Sequence, residues 1–192
     1  RFWMNEDLMR TLFKYLNKFM VLFWKLGLDS WLNFCPKILG RFLVITHYGR
    51  KTGEKYLTPV NFATIDGEIY CASGFGIQSD WYKNLVHNPE IEIWLPDGWW
   101  KARAEDIGNH PDRLQIMREV LIGSGFAALL AGIHPLTIDD ETLAEKTRDY
   151  CLLRLNKLSP RTGKDGPNEY GWIWPVTTLL LLVILKLQKR KK

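Results

Sequence analysis

The chain has little cysteine and little histidine, and the spacing of both excludes several common uses. Its 192 residues contain three cysteines, Cys35, Cys71 and Cys151, with no Cys-x-x-Cys pair. An odd number of distant cysteines predicts no disulfide framework and is typical of a reducing compartment. The four histidines are dispersed, and no spacing of His and Cys matches a zinc ligand set. We therefore expect no metal site.

The chain also lacks an apolar run of the roughly 20 residues that a bilayer span needs. The segment Trp172–Leu185 is uncharged for 14 residues, and a basic tail follows it. Trp172 and Trp174 are placed as interfacial anchors would be. The favoured interpretation is a helix that dips into one leaflet, while a full span and a helix docked on a membrane-protein partner are the alternatives. No signal-peptide pattern is visible at the other end.

The last seven residues contain no negatively charged side chain, and the excess positive charge of the chain is concentrated there. Lys186–Lys192 carries five positive charges and no negative one, which equals the net charge of +5. The N-terminal segment is also basic and lies beside apolar sequence. Basic ends next to apolar runs suit an anionic membrane surface better than a nucleic-acid groove. We expect no nucleic-acid partner.

Residues Glu6–Leu26 have the pattern of an amphipathic helix. Polar positions recur every three or four residues, with one gap, at Asp7, Arg10, Lys14, Lys18 and Lys25. The rest of the surface is crowded with Leu, Phe, Met and Trp side chains. This pattern predicts a helix in a membrane interface, and packing on the central domain or on a sister subunit is the alternative.

The central part of the chain is rich in strand and hairpin signals. Asp66-Gly67 and Pro96-Asp97-Gly98 separate pairs of strand-like runs. We expect a mainly β domain with helices (α+β). Four segments follow: an amphipathic membrane-interface or docking helix in 1–35, the central domain in 36–158, a Pro- and Gly-rich linker in 159–171, and an apolar helix with a basic tail in 172–192.

One loop in this domain indicates a binding function. Gly49–Pro59 (GRKTGEKYLTP) places Arg50, Lys51 and Lys55 beside two glycines and between two strands. Glycine allows a ligand to approach the backbone, and clustered cations match a phosphate or carboxylate. The loop is either an anion clamp or an ordinary solvated hairpin loop.

Four motifs in order resemble one protein family. They are the loop Gly49–Pro59, the turn Ala72–Gly76 (ASGFG), the helix Ser79–Leu85 (SDWYKNL) and the strand-like His87–Trp94 (HNPEIEIW). Together they resemble the deazaflavin-dependent nitroreductase and quinone reductase family over about residues 39–155. The resemblance implies a split β-barrel of about six strands, usually a homodimer, that binds coenzyme F-420 or a related flavin.

The resemblance also assigns residues of this chain to roles. The anionic tail of the cofactor would lie against Arg50, Lys51, Thr52 and Lys55. Its ring would lie along Thr58, Pro59, Val60 and Asn61, with Ser73, Gly74 and Asn84 also in contact. The implied catalytic residues are Ser73, Trp81 and His134. Other members place tyrosines over the substrate in a stretch that corresponds to Gly123–Thr147, which has no tyrosine here and in which Phe126 and His134 could partly substitute.

The implied reaction is hydride transfer from the reduced deazaflavin to an acceptor. Members of the family often carry arginine where Tyr56 stands and lysine where Gly74 stands. This leaves open two alternatives, an FMN- or FAD-binding relative and a non-catalytic subunit that joins a membrane complex through both termini. A lipophilic quinone is the favoured acceptor over a nitro compound, since apolar ends would bring the site to a membrane-dissolved substrate. The expected location is the cytoplasmic side of the cell membrane, where a supply of reduced deazaflavin is expected.

Overall fold

The computed structural model describes residues 6–29 and 40–189, without the side chains of residues 6–14. The expectations for Cys35, for the start of the 1–35 segment and for the last three basic residues lie outside these ranges. Within them, the middle of the chain contains the strands with helices between them, and one helix lies at each end.

Six antiparallel strands close into a barrel in the order β1-β2-β3-β6-β5-β4. The strands are β1 Phe42–Tyr48, β2 Lys55–Ile65, β3 Glu68–Ser73, β4 Glu90–Leu95, β5 Gly98–Asp106 and β6 Cys151–Pro160. The predicted hairpins are both present. Asp66 and Gly67, with φ angles of 51° and 85°, form the two-residue turn between β2 and β3. The predicted fold class, a six-stranded β-barrel with helices, is confirmed.

Alternate side chains of each strand fill the barrel, as a period of two requires. Leu43 and Ile45 of β1 point inward together with Val60 and Phe62 of β2, and Leu43 pairs directly with Val60. The interior is almost entirely aliphatic, with Cys71 as its buried thiol. The helix α2, Asp80–His87, lies between β3 and β4 in the chain. It contributes Tyr82 and Leu85 to the same cluster. One end of the barrel is therefore covered by α2.

A second apolar cluster forms outside the barrel, beneath three helices. These are α3 Arg113–Gly123, α4 Phe126–Leu130 and α5 Asp140–Lys146. Met117 of α3 and Leu143 of α5 are completely buried there. The helix α3 begins after Asp112, because residues 107–112 form successive turns.

The first helix, α1 Glu6–Lys25, packs its C-terminal end on the outside of the barrel. Trp24 is fully buried against Val44, Trp94 and Trp99, and Met20 is buried as well. The opposite side of this part of α1, with Tyr15, Leu16, Phe19 and Leu22, is exposed.

The end of the chain is joined to the end of α1. The backbone nitrogen of Asn168 donates to Trp24, that of Tyr170 donates to Lys25, and the Lys25 ammonium lies 2.8 Å from Glu169. Trp174 Nε1 donates to the carbonyl of Leu26 at 2.8 Å. The last strand also reaches two residues into the predicted linker, since Ser159 and Pro160 pair with Lys101 and Trp100 of β5.

The final helix, α6 Ile173–Lys189, has no buried residue. Its apolar side chains from Val176 to Leu187 are between 42% and 65% exposed. No helix among the described residues is long and apolar enough to cross a membrane.

Candidate functional site

The loop between β1 and β2 is compact and closed by its own backbone. Gly53 N donates to the Gly49 carbonyl and Gly49 N donates to the Glu54 carbonyl, each at 2.8 Å. Gly53 has a φ of +69°, a backbone conformation that residues other than glycine rarely adopt. Thr52 Oγ1 accepts from Glu54 N at 3.3 Å. These hydrogen bonds hold the backbone of the loop in one conformation, and the cationic side chains extend from it.

Arg50 joins this loop to α2. Its backbone N–H and its Nη1 donate to Asn84 Oδ1 at 3.1 and 3.0 Å, and its Nη2 donates to Asp80 Oδ1 at 3.0 Å. Asp80 is exposed, but Asn84 is buried. Two of the five guanidinium N–H donors of Arg50, and its backbone N–H, are therefore used within the chain.

Lys51 and Lys55 differ from Arg50. Both side chains are exposed, and neither forms an ion pair with any residue that the structure describes. Two cations without a carboxylate partner on one short loop are suited to an external anion. Of the residues predicted to hold an anionic tail, these two lysines are the ones with free charge.

His47 lies at the barrel end of β1, directly before the loop. It is 3% exposed, its Nε2 lies 3.0 Å from Thr58 Oγ1, and its Nδ1 lies 3.3 Å from Asn84 Nδ2. The Tyr56 ring stacks on it, with centroids 5.8 Å apart. Burial lowers the pKa of His47 to about 4, so the imidazole is neutral at pH 7.

The predicted ring-edge residues of β2 have different surroundings. Thr58 is half-buried and contacts His47. Val60 is part of the barrel interior, Pro59 is buried opposite Val44, and Asn61 Nδ2 donates to the carbonyl of Arg41 at 3.3 Å. Among these four, Thr58 has a polar side-chain group next to the loop.

Ser73 and Gly74 form the turn after β3. Ser73 is 2% exposed, and its hydroxyl lies 3.0 Å from the Gly76 carbonyl oxygen and 2.6 Å from Ser79 Oγ. Ser79 occupies the N-cap position of α2, but its hydroxyl contacts Ser73 and does not cap the helix. Gly74 lies near the Tyr150 ring. Ser73 thus holds the turn together in this structure.

Trp81 and His134 are placed apart. Trp81 is partly buried and packs on the barrel interior from α2. His134 is exposed in the loop between α4 and α5, where its carbonyl accepts from Thr137 N and Ile138 N. In the part of the chain that is described, no hydrogen bond or ring contact joins His134 to Ser73 or Trp81. Their catalytic roles stay predictions.

An open groove of about 610 Å³ lies on the outer side of α2. It is lined by Ile77, Gln78, Tyr82, Lys83, Val86 and His87. Ile77 and Val86 are exposed, and the Tyr82 hydroxyl donates to Asp106 Oδ2. Burial, together with the hydrogen bond to Asp106, raises the pKa of Tyr82. The groove offers a mostly apolar surface with a few polar groups.

His47 was not among the residues selected from the sequence. A signal for it exists, since Leu43, Ile45 and His47 alternate along β1 and so share the inward face. Its partner Asn84 is 37 residues away and was selected for another reason. Across residues 6–29 and 40–189, no group of three or more His, Cys, Asp or Glu side chains could hold a metal ion.

The chain is similar to known proteins. Residues 36–123, slightly less than half of the chain, match the family model described as F420H(2)-dependent quinone reductase. No curated protein matches.

Several solved structures are similar to this chain at low sequence identity. A conserved hypothetical protein of Mycobacterium tuberculosis is 18% identical over 71% of this chain and 79% of its own, with a TM-score of 0.43. HutZ, the heme storage protein of Vibrio cholerae, is 13% identical over 73% and 94%, with a TM-score of 0.47. An F420-H2 dependent reductase, FDR-A, is 17% identical over 60% and 92%, with a TM-score of 0.41.

The matched segment contains the loop, the turn, α2 and most of the barrel, which are the parts that carry the family motifs. The resemblance seen in the sequence is therefore confirmed, since residues 36–123 match the model of the F420H(2)-dependent quinone reductase family.

Proposed function

We propose that the protein is an oxidoreductase that binds a coenzyme F-420-type deazaflavin at the β1–β2 loop and reduces a quinone-like acceptor. The observation that carries the proposal is the pair of exposed lysines inside the family-matched segment, Lys51 in the β1–β2 loop and Lys55 at the start of β2. Neither lysine has a carboxylate partner among the described residues.

The residues at the loop fit the cofactor. A deazaflavin of this type has an anionic tail and a flat ring with carbonyl oxygens. The two lysines supply charge for the tail, and Thr58 supplies a hydroxyl beside the loop. When bound, the deazaflavin supplies the hydride chemistry, while the protein binds and orients it.

The groove beside α2 is suited to binding a flat, apolar acceptor. Exposed Ile77 and Val86 offer apolar contact, and Gln78 and His87 offer polar groups that could meet a carbonyl oxygen. A quinone combines these two properties. A small polar nitro compound would use less of this surface.

Apolar helices at both ends support action at a membrane surface. The α6 helix exposes apolar side chains all round, whereas a helix that packs on protein buries one stripe. Its last turns carry Lys186 and Lys189, which suit anionic lipid. The exposed side of α1 adds Leu16, Phe19 and Leu22. We place the protein on the cytoplasmic side of the cell membrane, with α6 in the interface.

A titration with reduced and oxidised coenzyme F-420 tests the cofactor proposal. The double variant Lys51→Ala/Lys55→Ala should weaken binding at least about tenfold, because charge-assisted hydrogen bonds to the anion are lost. Lys101→Ala, an exposed lysine on β5, is the matched control and should bind like the parent. Added salt should reduce the difference between the double variant and the parent.

Three results would contradict the proposal in distinct ways. Binding of FMN or FAD in place of the deazaflavin would make the protein a flavin-binding relative. Binding of none of the three would favour a non-catalytic subunit. Equal affinity of the double variant and the parent would remove the loop as the anion site.

Cosedimentation with vesicles tests the membrane part. The full chain should bind vesicles that contain anionic lipid, and Leu180→Glu/Val183→Glu should reduce binding strongly, since both side chains are exposed on α6. Leu158→Glu, an exposed leucine on β6, is the control. If the parent ignores the vesicles, or if the two variants behave alike, the membrane proposal is wrong.

A further inference from the structure

A chain of hydrogen bonds runs from the loop through α2 and back to the barrel. It begins at Arg50, whose backbone N–H and Nη1 both point at the Oδ1 of Asn84. Arginine has donors and no acceptor, so the atom that faces it must be the amide oxygen. This fixes the amide orientation of Asn84 and leaves Nδ2, a donor, 3.3 Å from His47 Nδ1.

The orientation of Asn84 in turn determines the tautomer of His47. Since Nδ2 of Asn84 only donates, Nδ1 of His47 has to accept. The neutral ring then carries its proton on Nε2, which lies 3.0 Å from Thr58 Oγ1. Burial keeps the ring neutral, in agreement with its lowered pKa. Each bond in the chain therefore has one allowed direction.

The chain ends at the hydroxyl of Thr58. That oxygen accepts from His47, so the single hydroxyl hydrogen stays available. Within the described ranges it has no acceptor. Thr58 is half-buried and pairs with Ile45 of β1, two residues before His47. The free hydrogen therefore lies at the barrel end that adjoins the cationic loop.

We propose that His47 is a positioning residue that makes the Thr58 hydroxyl a hydrogen-bond donor to the ligand. The recognised group is an acceptor atom, a carbonyl oxygen or an unprotonated nitrogen, on the edge of a flat heterocycle. This inference rests on the proposed function, in which that heterocycle is the deazaflavin ring. Thr58 contacts the ligand, and His47 acts through Thr58.

A purely structural role for His47 makes different predictions. If the ring only fills space beneath Tyr56, removal of its polarity should change stability and leave the ligand affinity unaffected. If it sets the direction of the Thr58 hydroxyl, its loss should affect affinity only while that hydroxyl is present.

Thr58→Val, which keeps the shape and removes the hydroxyl, should weaken deazaflavin binding about three- to tenfold. Thr58→Ser should retain most of the affinity. Thr64→Val is the matched control, since Thr64 is exposed near the other end of the same strand. His47→Leu should weaken binding in the parent background and cause little further loss in Thr58→Val. His47→Gln, whose amide can still donate to Thr58, should recover part of the affinity.

Nitrogen-15 NMR of the imidazole gives a readout that needs no ligand. The signals of the His47 ring are assigned by their absence from the spectrum of His47→Gln. They should show the proton on Nε2 at pH 7. A proton on Nδ1, or a charged ring at pH 7, would overturn the inference. So would normal affinity in Thr58→Val, or additive losses in the double variant. If the parent binds no deazaflavin, the proposed function fails, and the ligand part of this inference fails with it.

Discussion

The indole rings of Trp24 and Trp94 lie 6.4 Å apart, tilted by 50°, and both are completely buried. Trp24 belongs to α1 and Trp94 to β4, so this pair attaches the N-terminal helix to the outer wall of the barrel. Val44 and Trp99 complete the contact. Such aromatic pairs contribute more than their buried area alone.

Removal of the Trp24 ring should destabilise the protein strongly. We expect Trp24→Ala to reduce the free energy of unfolding by about 3–5 kcal/mol, as large-to-small changes in cores do. Phe19→Ala in the same helix is the control, and its effect should be small because Phe19 is 53% exposed. Urea unfolding measures both. Equal effects would show that α1 is not held by Trp24.

Acid should destabilise the protein through His47. Its pKa is about 4 in the folded state and about 6.5 when unfolded, so between these values the unfolded state binds more protons. The contribution is fully present above pH 6.5 and is lost as the pH falls toward 4. Its size is at most about 3 kcal/mol.

Measured unfolding free energies of the parent and of His47→Gln, compared from pH 7 to pH 4, test this effect of His47 on stability. The parent should lose more stability over that window than the variant. Parallel curves for the two proteins would exclude a buried, neutral His47.

Asn84 should be important for stability despite its small side chain. Asn84→Ala leaves a buried imidazole nitrogen and two Arg50 donors without a partner. We expect a loss of about 1–3 kcal/mol in urea unfolding. Asn156→Ala is the control, because Asn156 donates at 3.3 Å to the exposed Glu105. A loss no larger than that of the control would contradict the role of Asn84 as the centre of the network.

Gly76 should tolerate no side chain. Its φ is +53°, and an added Cβ would lie only 2.0 Å from the Asp149 carbonyl oxygen. At Gly67 φ is +85° but the surrounding space is open. Gly67→Ala should therefore cost about 1–2 kcal/mol from backbone strain alone, and Gly76→Ala clearly more. Midpoints of urea unfolding compare the two, and similar midpoints would show that the turn at Gly76 can move away from Asp149.

Local chemistry was sufficient for much of the fold. Asp66-Gly67 and Pro96-Asp97-Gly98 each specify a hairpin, because few residues adopt the backbone that a tight turn needs. Alternation then assigns each strand an inner and an outer face. The motifs in 36–123 were enough to indicate the family, and the stripe of Glu6–Leu26 was enough to predict a helix.

The partners of individual side chains were decided by tertiary structure. His47 and Asn84 are 37 residues apart, and their contact depends on where α2 covers the barrel. Ser79 is the first residue of the motif Ser79–Leu85, yet closure of the preceding turn brings Ser73 to its hydroxyl. Trp24 and Phe19 are both aromatic residues of one helix, but only Trp24 faces Trp94. Sequence periodicity defines the faces of an element, whereas the surface that each face meets depends on packing between residues far apart in the chain.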